Sequence, residues 1–161
     1  KNDPADAAGL KNVREALVRI SDRKRTFVSR GDDSGTHKKE TSLWAALGGL
    51  PHGEWYLEAG QGMSATLRMA DEKDAYVLVD RATYLFNKDK IRLVLLVEGD
   101  ENLFNPYGII PVSPYRHPHA KYELAMALVA WMTSPRCQKM IADYRQHGTQ
   151  LYHPSAAKPF R

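Results

Sequence analysis

Up to Val97 the hydrophobic positions switch back and forth between two spacings. Val13, Leu17, Val18 and Ile20 recur at helical intervals and predict an amphipathic helix over residues 12–21. Thr26-Phe27-Val28-Ser29 is a short run that predicts a strand, and a second helix follows from about Ser34 to Leu47, closed by Gly48-Gly49 with Pro51 beyond. Trp55–Glu58 predicts a second strand, Met63–Ala70 a helix, Tyr76–Val79 a third strand and Ala82–Phe86 a short helix with Asp80 as its N-cap. Arg92–Val97 predicts a buried strand stopped by Gly99-Asp100.

Beyond this point the pattern changes. Phe104–Val112 holds two prolines and reads as an extended crossing segment, not a ladder-forming strand. Tyr122–Met132 and Pro135–Arg145 predict two helices. The second opens with Ser134 as N-cap and Pro135 at the first helical position, and His147-Gly148 is expected to cap its end. The stripe Leu124, Leu128, Trp131 and Met132 is expected to be helix core. Strands alternating with helices indicate an α/β layer structure with parallel strands, followed by a separate helical block.

Composition narrows the class. The chain has 161 residues, 43% hydrophobic and 26% charged, enough to build a core without metals or disulfides. No apolar run approaches the roughly 20 residues that cross a bilayer. No signal peptide is expected at Lys1-Asn2-Asp3-Pro4, which reads like the middle of a longer chain. The lone Cys137 falls in an amphipathic helix and is expected to be a buried small hydrophobe. A net charge of +4 attracts anions, but the lysines and arginines are scattered. A nucleic-acid footprint would need a basic face with interleaved aromatics, so no nucleic-acid partner is expected.

The chemistry concentrates at three strand-to-helix corners: Ser29–Thr36 (SRGDDSGT), Glu58–Ser64 (EAGQGMS) and Asp80–Thr83 (DRAT). In open α/β sheets ligands bind at such corners, where helix starts present unpaired N–H groups and partial positive charge. At the first corner Gly35 bares the backbone, and Ser34 and Thr36 carry hydroxyls. Arg30 can fold over the same spot, since its planar fork suits an oxyanion. Asp32 would repel an anion and is better placed as the partner that fixes Arg30. Plain helix capping explains the same residues, and both readings stand. For Gly60-Gln61-Gly62 a turn and helix start is the simpler account. Asp80 reads as a cap and Arg81 as solvated or paired.

Other motifs carry less. Arg30-Gly31-Asp32 matches an adhesion tripeptide of the kind chance supplies, and there is no glycine–x–serine–x–glycine elbow. His117-Pro118-His119 lacks a third ligand at recognisable spacing, so no resident metal is expected.

The run FVSRGDDSGTHKKE, then Leu43-Trp44, Gly60-Gln61-Gly62-Met63, Asp80–Leu85 (DRATYL) and Leu103–Val112 (LFNPYGIIPV), resembles the tungstate-binding proteins of ABC transporters. These belong to the type II periplasmic binding proteins. The resemblance covers nearly the whole chain, in order. The Arg30–Thr36 core is also similar to the motif of phosphate-binding proteins and by itself indicates only a tetrahedral oxyanion.

The resemblance implies an α/β, parallel-rich lobe flanked by helices. Residues 1–103 would form the second lobe of a two-lobed clamp, 104–113 a hinge crossing, and 114–161 C-terminal helices belonging to the first lobe. Arg30, Ser34, Gly35 and Thr36 would contact the oxyanion, with Gly62 and Met63 at the cleft and Ser29 and Asp32 in support. It implies a receptor for tungstate or molybdate, without cofactor or catalysis, that delivers the anion to a permease from the periplasm or cell exterior. Phosphate or sulfate is the alternative ligand, and a small α/β enzyme using the corner as a phosphate nest is a further one. The threonine/serine-rich turn that opens the family's first lobe is not expected here, since nothing resembling it precedes Lys1. Without that half, the C-terminal helices are expected to show an apolar face that a dimer or exchanged segment could cover.

Overall fold

The computed structural model describes residues 3–156. Its contacts divide the chain into two units at Asn105 and Pro106.

The first unit opens with α1 (Val13–Asp22). Asn12 caps it, its side chain accepting the N–H groups of Arg14 and Glu15 at 2.9 and 3.2 Å. Val13, Ala16, Leu17 and Ile20 turn inward, whereas Val18, grouped with that face by spacing, is exposed. There follow β1 (Phe27–Ser29), α2 (Gly35–Ala45), β2 (Tyr56–Glu58), α3 (Met63–Glu72), β3 (Tyr76–Val77) and α4 (Arg81–Asn87). The strands form one parallel sheet in the order β2-β1-β3. Phe27 pairs with Tyr56 on one side and Tyr76 on the other; Val28 pairs with Leu57 and Val77.

The two-residue period of β1 divides the core. Phe27 joins Val13, Leu17 and Ile20 of α1 and Leu43 and Trp44 of α2 on one face. Val28 joins Ala70 of α3 and Ala75 on the other. The first face is aromatic: Phe27 stacks on Tyr56 at 5.9 Å and meets Trp44 edge-on at 5.5 Å. The parallel α/β lobe expected from the sequence is therefore present, with β1 at its centre.

One strand is not. Residues 91–100 adopt no regular structure. The N–H groups of Arg92 and Leu93 go to Asp71 Oδ1, at 2.7 and 3.1 Å, instead of to a sheet neighbour. Leu93 and Val97 still pack on the two cores, but Val94 and Leu95 face solvent.

The second unit holds α5 (Tyr122–Thr133) and α6 (Pro135–Asp143), with Ser134 capping α6 through the Cys137 N–H at 3.3 Å. Cys137 is buried, its Sγ 3.8 Å from the Met132 sulfur. Two expectations are corrected here. The last helix stops at Asp143, and β4 (Arg145–Gln146) and β5 (Thr149–Gln150) form an antiparallel hairpin. His147 and Gly148 both take positive φ, the conformation of a two-residue hairpin turn, not a helix cap. The stripe on α5 is not core either: Leu124, Leu128 and Trp131 are 66%, 51% and 48% exposed. No described residue covers that face enough to bury any residue of α5. Among the described residues no helix is long and apolar enough to cross a membrane.

Candidate functional site

Parallel pairing sets the carboxyl ends of all three strands on one edge of the sheet, so the three corners leave from the same side. The corners after β1 and β2 are joined directly. Ala59 N–H donates to Ser29 O at 2.9 Å and Gly60 N–H to Arg30 O at 3.0 Å, carrying the ladder past the strand ends.

At the first corner the chain reverses through Gly31 at φ +63°. A Cβ there would stand 2.9 Å from Glu58 Cβ, so a glycine is needed on both counts. Arg30 Nε lies 2.8 Å from Asp32 Oδ2, while Asp32 Oδ1 accepts the Ser34 N–H at 3.2 Å. Asp32 thus sits where a fixing partner of Arg30 was expected. Hydrogen bonding from the Ser34 hydroxyl holds the Asp32 carboxyl below its ordinary range, with the Ser34 N–H and Arg30 adding to it against a desolvation effect.

Ser34 is the N-cap of α2, its Oγ accepting the His37 N–H at 3.3 Å. Its hydroxyl is thereby engaged on both sides. Gly35 is exposed and a Cβ there would meet nothing within 4 Å, so the backbone is open to a ligand. Thr36 is half-buried in the first turn. The donors this corner can turn toward an anion are the first N–H groups of α2, the Thr36 hydroxyl and the Arg30 fork.

At the second corner Gly62 is the N-cap of α3 and makes no side-chain cap bond, so the first N–H groups of α3 are not taken by a cap. Thr66, fully buried, ties the loop down by donating to the carbonyls of Gln61 and Gly62 at 3.2 and 3.3 Å. Met63 is buried, so its backbone is what it can offer a ligand. At the third corner Asp80 caps α4 through the N–H and hydroxyl of Thr83 at 2.8 and 2.7 Å, and Arg81 pairs with Glu98 at 2.7 Å.

Behind the first corner lies a polar cluster that sequence reading missed. Glu40 of α2 is 2% exposed, and its Oε1 accepts from Tyr56 OH at 2.7 Å and Trp44 Nε1 at 3.2 Å. Burial raises its carboxyl above the ordinary range; hydrogen bonds from Tyr56 and Trp44, and the Ser29 hydroxyl facing it, oppose that rise. Burial likewise pushes the Tyr56 hydroxyl well up. The signal was a lone acidic residue three and four positions before Leu43 and Trp44, on the face that turns inward. Among the described residues no group of three metal-ligating side chains stands together, and the His117 and His119 rings are 6.0 Å apart, centre to centre.

The chain resembles known proteins over nearly its whole length. It is 48% identical over 145 residues to the tungstate-binding protein TupA of Peptoclostridium acidaminophilum, covering 89% of this chain and 51% of that one. It superposes on the tungstate-binding protein TupA from Desulfovibrio alaskensis G20 with a TM-score of 0.82 at 44% identity, covering 94% of this chain and 63% of that one. The tungstate ABC transporter structure from Geobacter sulfurreducens matches with a TM-score of 0.79 at 51% identity, over 89% and 61% of the two chains. The chain spans about half the length of the curated relatives it matches. A family model for a PBP superfamily domain matches residues 1–136. Matched by that family model over residues 1–136 and similar to tungstate-binding proteins over about nine-tenths of its length, this chain belongs to the PBP superfamily.

Proposed function

We propose that this chain supplies one side of a tetrahedral-oxyanion site, with tungstate as the first ligand and molybdate next, in a binding protein that serves an ABC transporter. One observation carries the reading: Arg30, tied to Asp32 at 2.8 Å, stands beside the open start of α2 at Gly35 and Thr36. Arg30, Gly35, Thr36 and the loop at Gly62 and Met63 are the contacts, the last two through backbone N–H groups. Ser34 shapes the corner by capping α2.

The site is built of donors, which suits a fully deprotonated dianion offering only acceptors. Protonated phosphate also needs an acceptor, and both oxygens of Asp32 already have partners. The relatives are named as binding proteins, which supports binding and release, not turnover, as the activity. The chain acts in the periplasm or at the cell exterior and delivers its anion to a permease; the link to an ABC transporter is supported by relatives named as an ABC transporter anion-binding protein and a tungstate ABC transporter.

Calorimetric titration of the complete natural protein with tungstate, molybdate, sulfate and phosphate tests this. Tungstate and molybdate are expected to bind more tightly than phosphate. Silence from all four sinks the proposal.

A further inference from the structure

The Glu40 cluster lies at the back of the proposed anion site, and nothing in oxyanion recognition accounts for it. Glu40 stands one turn after Thr36 on α2, about 6 Å farther along the axis. Its carboxyl is buried, and among the described residues both of the donors that hydrogen-bond it, Tyr56 OH and Trp44 Nε1, are neutral groups. A buried carboxylate without a positive partner is costly, and the cost grows when a second negative charge approaches.

Ser29 adds the second observation. It is the residue before Arg30, 0% exposed, and its hydroxyl faces the Glu40 carboxyl and the Tyr56 hydroxyl without a properly formed hydrogen bond to either. A carboxylate can only accept. A neutral carboxylic acid can also donate, and the lone pairs of Ser29 are the unused acceptor in front of it. The other groups facing Glu40 are His37 on its own helix and Tyr56 from β2, with Glu58 two residues beyond Tyr56. From β1 comes Ser29, followed by the Arg30–Asp32 pair, and α1 contributes Val13, Leu17 and Ile20 to the adjoining core.

We infer that Glu40 is a proton-linked positioning residue: when a dianion occupies the corner formed by Arg30 and the start of α2, the buried Glu40 carboxyl takes up a proton and donates it to Ser29 Oγ, locking the end of β1 to α2. This rests on the oxyanion-site reading. The bookkeeping is simple: one proton passes from solvent to Glu40, the Oε2–H···Oγ bond forms, and no covalent bond in the ligand changes. Linkage then requires proton uptake on binding, and affinity that weakens as pH rises, by at most about tenfold per pH unit for one coupled proton.

Tungstate binding to the complete natural protein, measured by calorimetry between about pH 6 and pH 9 in buffers of different ionisation enthalpy, tests this. The wild type is expected to take up part of a proton and to lose affinity with rising pH. Glu40→Gln, neutral at every pH, is expected to bind with a flatter profile and no uptake at this site. Superimposable profiles for the two proteins, or a wild type that takes up no proton, overturn the inference while leaving the anion site standing. The second measurement needs no variant, so it decides the matter even if Glu40→Gln does not fold. Failure of the wild type to bind tungstate at any pH overturns the site reading itself.

Discussion

The Arg30 guanidinium and the Asp32 carboxylate stand 2.8 Å apart at the end of the central strand. Each side chain is 22% exposed. Asp32 Oδ2 faces Arg30 and Oδ1 takes the Ser34 N–H, so a single carboxylate fixes both the arginine and the start of α2. The arrangement would let the proposed anion site contain an acid, because Oδ1 and Oδ2 are both engaged by the protein.

Arg30→Ala is expected to weaken tungstate binding by about tenfold to a hundredfold, the worth of a charged hydrogen bond. Arg30→Lys should fall between, since a point charge replaces a planar fork. Asp32→Ala is expected to lower affinity for tungstate and phosphate alike, because Asp32 acts through Arg30. A selective loss of phosphate binding would show that Asp32 faces the ligand. The double variant should show strong coupling in calorimetric titration, as expected of two residues in contact.

Ser34→Ala removes the cap of α2 and is expected to cost about 1 kcal/mol, read as a lower urea midpoint. Ser34→Asp keeps a capping oxygen and should hold the midpoint near that of wild type, yet put a negative charge at the anion corner and abolish tungstate binding. Loss of binding with stability retained separates the charge of the corner from its shape.

Much of this corner was legible in the sequence because its determinants are local. A glycine at a reversal, a serine before a helix and an arginine two residues from an aspartate each declare themselves within eight positions. The parallel sheet was legible from periodicity, since Phe27 and Val28 must serve opposite faces. What failed depended on distant partners. Arg92–Val97 has the pattern of a strand, but the Asp71 side chain, far back in the chain, takes its first donors. His147-Gly148 suits a helix end and a hairpin turn equally, and only the pairing of Arg145 with Gln150 decides. The stripe on α5 is apolar enough for a core, yet periodicity does not say what covers a face. Glu40 was overlooked because charge suggests solvent, whereas Tyr56 and Trp44 make an interior place for it.

Gly31→Ala is expected to cost about 1–3 kcal/mol, because an alanine at φ +63° is strained and its Cβ would overlap Glu58 Cβ at 2.9 Å. Gly60→Ala provides the control. Its φ is +62°, but a Cβ there meets nothing within 4 Å, so it should lose only the roughly 1 kcal/mol of left-handed strain. Denaturant midpoints of the two variants therefore differ by the overlap alone. Equal losses would mean that β2 gives way to the added methyl without resistance.

Stability should depend on pH through two carboxyls of opposite sign. The Val13 N–H at 2.7 Å, with the Asn102 N–H at 2.8 Å, holds Asp100 below its usual 3.8. Below that range the unfolded chain binds the proton first, so the Asp100 contribution is present above 3.8 and is lost as pH falls through the lowered folded value. Glu40 runs the other way. Burial raises it above 4.5, so the folded chain keeps the proton longer than the unfolded one. Its contribution is full below 4.5 and is lost as pH rises through the raised folded value. Asp100→Asn is expected to flatten the acid limb of a urea-midpoint profile, and Glu40→Gln the limb above it. Glu40→Ala should instead lower the whole profile, because Tyr56 OH and Trp44 Nε1 lose their acceptor at about 1–3 kcal/mol for each group left unpaired. A Glu40→Gln protein that still loses stability with rising pH as the wild type does would move that titration to a group other than Glu40.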